Sequence, residues 1–237
     1  MIVAAGGANA TARAAKAATA TIPIVFLGVG DPVESGLVES YSRPGANITG
    51  VTLFNVELDG KRVELLHELL PERAVIAVLV NPNNPNAESQ LKSVRAVAAL
   101  YGLQLSVLRA GADSDFEASF VTLLHERARG LVVMADAFFY SRLEHLVALA
   151  ERNAVPAVYD EREYAEAGGL MSYGPSIAET YHQLGLYTGR IFKGERPADL
   201  PVVQPTKPEL VINLKTAETL GLTISSAVLA RADEVIE

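Results

Sequence analysis

The chain has 237 residues, enough for one large domain or two small ones, and 49% of them are apolar, so a substantial core is expected. A formal charge of −8 with no basic patch argues against nucleic acid as a partner, and no apolar run reaches the ~20 residues a membrane span needs. With no cysteine, disulfides, thiolate catalysis and cysteine-based zinc sites are excluded. The N-terminal residues show neither a basic n-region nor a long apolar h-region, so no signal peptide is visible.

Short apolar runs alternate with helical patterns along the chain. A strand stub at 2–5 leads into a tight turn at Gly6-Gly7-Ala8-Asn9, then an alanine-rich helix at 10–18. A strand at 22–27 runs into the loop Gly28-Val29-Gly30-Asp31-Pro32, where the glycines permit close backbone approach and Pro32 suits the first turn of a brief helix. Asp31 has two readings there, a ligand-facing carboxylate or the N-cap of that helix. A strand at 47–53 and an amphipathic helix at 58–70, stopped by Pro71, close the first series.

The second series predicts strands at 75–80, 103–108, 130–135 and 156–159, separated by helices at 86–101, 116–128 and 141–153. These strands are continuously apolar, which predicts a parallel sheet covered on both faces. Beyond them come a glycine-bracketed strand at 168–175 and a long helix at 177–192. An extended connector follows, carrying Pro197, Pro201, Pro205 and Pro208, with a short strand at Val202-Val203. A strand at 210–214, a helix at 216–220 and a helical tail at 227–236 complete the expected elements. Late-returning segments suggest two lobes joined by several strands.

The stretches GDPVESGLVESYSRPGANITGV, LVNPNNP, YDEREYAEAGGLMSYGPS and PADLPVVQPTKPELVINLKTAETLGL together resemble the periplasmic substrate-binding proteins of ABC transporters, in the branch that includes tryptophan- and aromatic-amino-acid-binding members. The resemblance covers nearly the whole chain. It implies an α/β, two-lobed type I periplasmic-binding-protein fold of parallel sheets flanked by helices. The first lobe would be residues 1–55 plus 171–205, and the second 56–170 plus 206–237. Relatives carry a further leading strand-helix-strand-helix segment, so the first lobe is expected to be incomplete, with strands at Ile2, Ile22, Ile48 and Leu170. The implied role is a solute receptor handing an aromatic or branched amino acid from an interlobe cleft to an ABC permease, periplasmic or exported and not inserted in the membrane. A sensor or effector module and a Rossmann-like enzyme are the rival readings.

A zwitterionic ligand needs a carboxylate for its ammonium and N–H or hydroxyl donors for its carboxylate. Asp136, where the strand at 130–135 gives way to a loop, is the expected ammonium partner and matches the family's acidic position; capping the next helix is its other reading. Asn83 lies with Asn84 in the Asn-Pro loop, which resembles the family's cleft loop or is an ordinary turn. Phe139 follows Asp136 beside Phe138, and the pair either stacks on an aromatic ligand or, for at least one of them, anchors the helix start in the core. Tyr159 at a strand end and Tyr173 before Gly174-Pro175 would line the cleft or the hinge. Asn9, near Thr11, would donate to a carboxylate or cap its helix. Glu161 and Glu163 read as solvated. His67, His125, His145 and His182 are scattered, with no metal-type pairing, GxSxG elbow, dinucleotide fingerprint or P-loop. No catalytic residue, metal or cofactor is expected.

Overall fold

The computed structural model describes residues 1–5, 9–29, 31–53, 55–71, 74–204 and 207–237. The chain divides into two compact units, Met1–Asn55 with Pro175–Pro208 and Val56–Gly174 with Glu209–Glu237. In chain order the elements begin β1 (Ile2–Ala4), α1 (Asn9–Ala18), β2 (Ile24–Val29), β3 (Ile48–Leu53), α2 (Asn55–His67), β4 (Val75–Val80), α3 (Ala87–Tyr101) and β5 (Gln104–Arg109). They continue with α4 (Ser114–His125), β6 (Gly130–Val133), α5 (Ala137–Tyr140), α6 (Leu143–Arg152), β7 (Ala157–Tyr159), α7 (Arg162–Glu166) and β8 (Met171–Pro175). Then come α8 (Ile177–Phe192), a 3-10 turn at Pro197–Asp199, β9 (Pro208–Asn213), α9 (Leu214–Thr219), α10 (Ser226–Leu229) and β10 (Glu234–Ile236). The expected turn at Gly6-Gly7, Gly30 of the Asp31 loop and Pro205 of the connector lie outside the described residues.

In the first unit, β1, β2 and β3 form a parallel sheet in that order, extended by a single bridge from Val51 to Val203. Ala12 and Ala15 of α1 pack on one face with Ile24, Phe26 and Ile48. Leu184, Tyr187 and Ile191 of α8 pack with Val25 and Val51 in a separate cluster. The α8 start carries the Ser-x-x-Glu pattern, and the Ser176 side chain accepts from the Glu179 N–H at 3.2 Å.

The second unit holds a seven-stranded sheet in the order β10-β9-β8-β7-β6-β4-β5. Adjacent residues of β4 serve opposite faces: Ile76, Val78 and Val80 pack with Val63 and Leu66 of α2 and Leu91 and Val94 of α3. Ala77 and Leu79 pack instead with Phe116, Phe120 and Leu123 of α4 and with Leu146 of α6. That two-sided burial is why the strands read as unbroken apolar runs. Helix α3 ends on Gly102 at φ 64°, where the Leu103 N–H returns to the Ala98 carbonyl at 2.8 Å.

Three expectations are corrected. The strand near Leu170 does not extend the smaller sheet: β8 pairs with β7, Val158 opposite Met171 and Tyr159 opposite Ser172. After Pro32 there is no helix but a run of turns, because Leu37 and Val38 N–H both return to the Pro32 carbonyl and Gly36 adopts φ 70°. The helix expected at 141–153 is present as α6, and a further short helix, α5, precedes it. The C-terminal tail leaves its helix at Leu229, and Val235 and Ile236 pair in parallel with Ile212 and Asn213 of β9; the β-branched pair favours the pleated sheet.

Candidate functional site

Strand order in the second unit creates a crevice. From β4 the chain passes through α3 to β5 on one side, then through α4, on the opposite face, to β6 on the other side. The connections after β4 and β6 therefore diverge at the carboxyl end of the sheet, the position where open parallel sheets take ligands.

Asp136 sits at this switch point, half-buried. Its Oδ1 accepts from the N–H of Phe138 at 2.9 Å and of Phe139 at 3.2 Å, so it caps α5. The same carboxylate joins the two diverging loops: Asn81 Nδ2 donates to Oδ1 at 3.0 Å and Asn84 Nδ2 to Oδ2 at 2.8 Å. Each asparagine is itself fixed by its own loop, Asn81 Oδ1 accepting from Asn83 N–H at 2.9 Å and Asn84 Oδ1 from Asn86 N–H at 2.8 Å. Gln90 Nε2 completes the lock with a 2.8 Å bond to the Ala135 carbonyl.

The next strand end is acidic. Asp160, 4% exposed, follows β7, and half-buried Glu161 precedes α7 in extended conformation. Behind them, α2 contributes Asp59 and Arg62, each 0% exposed, joined Nη1 to Oδ1 at 2.5 Å. Arg62 Nε donates to the Tyr173 carbonyl of β8 at 2.7 Å. Loss of water pushes the Asp59 carboxyl up to about 7, opposed by Arg62 and reinforced by Asp160. Burial, then Asp160 and Glu163, push Glu161 up to about 8. Burial also raises Asp160, with Arg62 opposing and Asp136 and Glu163 adding to the rise. Asp59, Asp160 and Glu161 thus all lean on Arg62, and one guanidinium cannot compensate three carboxylates. The edge is chemically suited to a cationic group. Among the described residues no cluster of His, Asp or Glu is arranged to hold a metal ion.

Of the residues singled out from the sequence, Asn83, Asp136, Tyr159 and Tyr173 fall at carboxyl ends of this one sheet. Asn83 is exposed, its amide seated over Gly111, where a Cβ would lie 2.7 Å from Nδ2. Tyr173 is half-buried against the core. Two candidates are core residues instead. Phe139 is 0% exposed, packed 5.8 Å from Phe116, and offers no face to a ligand. Tyr159 is 0% exposed and stacked on Tyr164 at 4.4 Å; burial pushes its phenol well up, and its hydroxyl has no hydrogen-bond partner among the described residues. Glu161, expected to be solvated, is drawn into the protein by its place between Asp160 and α7.

Asn9 and Asp31 belong to the first unit. Asn9 opens α1, and a Cβ on Gly28 would lie 2.8 Å from its Oδ1. Asp31 spends its Oδ1 on the N–H groups of Val33 at 2.7 Å and Glu34 at 3.2 Å, the capping arrangement without a helix. Asp59 and Arg62 escaped the sequence reading. Their signal is helical phase: 59, 62 and 66 recur at the i, i+3, i+7 spacing of the buried face.

A family model described as ABC transporter substrate binding protein matches residues 1–236. A protein named tyrosine-binding protein from Clostridioides difficile (strain R20291) is 28% identical over 218 residues, covering 92% of this chain. The chain spans 62% of that relative's length. A conserved domain protein from Vibrio cholerae superimposes with a TM-score of 0.83 at 34% identity, over 98% of this chain and 78% of that one. An ABC domain from Streptococcus pneumoniae in complex with L-Trp gives 0.84 at 27% identity, over 100% and 78%.

Proposed function

The chain belongs to the ABC transporter substrate-binding protein family, and from that membership we propose that it is the solute receptor of an importer, binding an aromatic amino acid without altering it. Its parallel sheets flanked by helices are those of type I periplasmic-binding proteins. The observation that carries the ligand class is the acidic carboxyl edge of the second unit. An α-ammonium group placed near Asp136, Asp160 and Glu161 supplies the positive charge that Arg62 alone does not. The relatives named for tyrosine and bound to L-Trp support an aromatic side chain, and half-buried Tyr173 stands at the same carboxyl edge to meet it. A permease is the partner such a receptor serves, and among the described residues no helix is long and apolar enough to cross a membrane. Family members work outside the cytoplasm, and we place this chain there.

Thermal-shift and calorimetric titration of the full chain against L-tyrosine, L-tryptophan, L-leucine, adenine and ribose test this reading. L-tyrosine or L-tryptophan should raise the melting temperature, since ligand at ~100 times its Kd adds about 2.7 kcal/mol, and mass spectrometry should recover it unchanged. Stabilisation by ribose or adenine alone, or conversion of any compound, refutes it.

A further inference from the structure

We propose that the buried Asp59–Arg62–Asp160 cluster holds a proton in the unliganded protein, and that the ammonium group of an arriving amino acid displaces it. The proposal rests on the amino-acid reading above and adds the means by which pH governs that site.

The geometry leaves one negative charge without compensation. Arg62 commits Nη1 to Asp59 Oδ1 and Nε to the Tyr173 carbonyl. Its Nη2 and Asp59 Oδ2 are both buried without a hydrogen-bond partner among the described residues. The second buried acid, Asp160, follows β7 beside the end of β8, the strand whose Tyr173 carbonyl takes Arg62. A Cβ at Gly174 would fall 1.7 Å from the Asp160 carbonyl oxygen, so β8 lies tight against the residue.

Every neighbouring element adds negative charge or none. The connection after β7 and helix α7 bring Glu161 and Glu163, and the start of α5 brings Asp136. The phenols of Tyr159 and Tyr164 remain neutral, pushed upward by burial. A second bare carboxylate in this surrounding is costlier than a retained proton. The upward displacement of Asp59 and Glu161 agrees with that arrangement.

An ammonium at Asp160 and Glu161 changes the balance, because the added positive charge lets the second carboxylate ionise. The exchange is ligand–NH3⁺ plus protein–COOH giving the ligand–NH3⁺·protein–COO⁻ pair plus H⁺ to solvent. By linkage, affinity rises with pH across the window in which the unliganded cluster keeps its proton, by up to about tenfold per pH unit for one proton.

Two measurements on the full chain test the proposal. Calorimetry of L-tyrosine binding near pH 7, in phosphate and in Tris, gives the protons exchanged from the dependence on buffer ionisation heat. Release of about half to one proton is expected, and none for 3-(4-hydroxyphenyl)propionate, which lacks the amine. Infrared titration of the ligand-free protein should show a protonated carboxylic acid near neutral pH that disappears above about pH 8 and is diminished in Asp59→Asn. Should that variant fail to fold, the wild-type titration and proton count decide alone. Binding without proton release, or no protonated carboxyl at neutral pH, overturns the proposal while leaving the receptor reading intact. Failure of both L-tyrosine and L-tryptophan to bind refutes that reading and takes the displacement with it.

Discussion

Replacing Asp136 by alanine removes the residue that joins the two loops of the crevice. The helix cap on α5 is lost, costing about 1 kcal/mol. The amides of Asn81 and Asn84 lose a charged acceptor, a bond worth roughly 1.5–3 kcal/mol each when fully buried. Asp136 is only half-buried and water replaces part of both bonds, so the lower figure applies. The three contributions share one side chain and do not simply add. A total of about 3 kcal/mol is expected for the second unit, equivalent to a fall of about 1 M or more in its urea midpoint. Asp136→Asn keeps a cap oxygen but sets an amide N–H2 against an asparagine donor, and should cost about half as much. Urea unfolding of the full chain, followed by far-UV circular dichroism, measures both variants. An Asp136→Ala loss below about 1 kcal/mol with an unchanged slope, or equal losses for the two variants, would refute the clamp.

Tyr159→Phe deletes a buried hydroxyl without a partner, so stability should hold or rise by about 1 kcal/mol. L-tyrosine affinity should not change, and a weakened affinity would restore Tyr159 as a ligand contact. Gly174→Ala drives a Cβ into the Asp160 carbonyl and should lower the melting temperature sharply, whereas Gly102→Ser meets no neighbour and costs only the strain of φ 64°. The Asp59 carboxyl lies near 7 in the folded chain against 3.8 ordinarily, so between those values the folded state binds a proton the unfolded state has released. Its contribution to stability is therefore greatest in acid and declines as pH rises from about 4 through 7. Asp59→Asn should flatten that part of the stability–pH curve, and an unchanged slope would contradict the assignment.

Much of the architecture follows from local pattern. The runs Val75–Val80 and Gly130–Val133 are apolar throughout because both faces of their sheet are covered, and that pattern survives in the bare sequence. Gly102 and the Ser176-to-Glu179 spacing mark helix ends by rules confined to a few residues. The motif clusters likewise carry the family.

What the chain's order could not contain is which strand lies beside which. Placing β6 next to β4 brings Asn81 and Asn84 to Asp136 across more than fifty residues of sequence. Sheet order also claims β8 for the larger sheet and turns the final residues into a strand along β9. The charged pair inside α2 was legible only as a helical phase, and its meaning came from Asp160, whose charge the fold brings within reach of it. Local rules fix the elements, because a turn or cap is decided within a few residues. Long-range pairing decides the site, because burial removes water from groups that lie far apart along the chain.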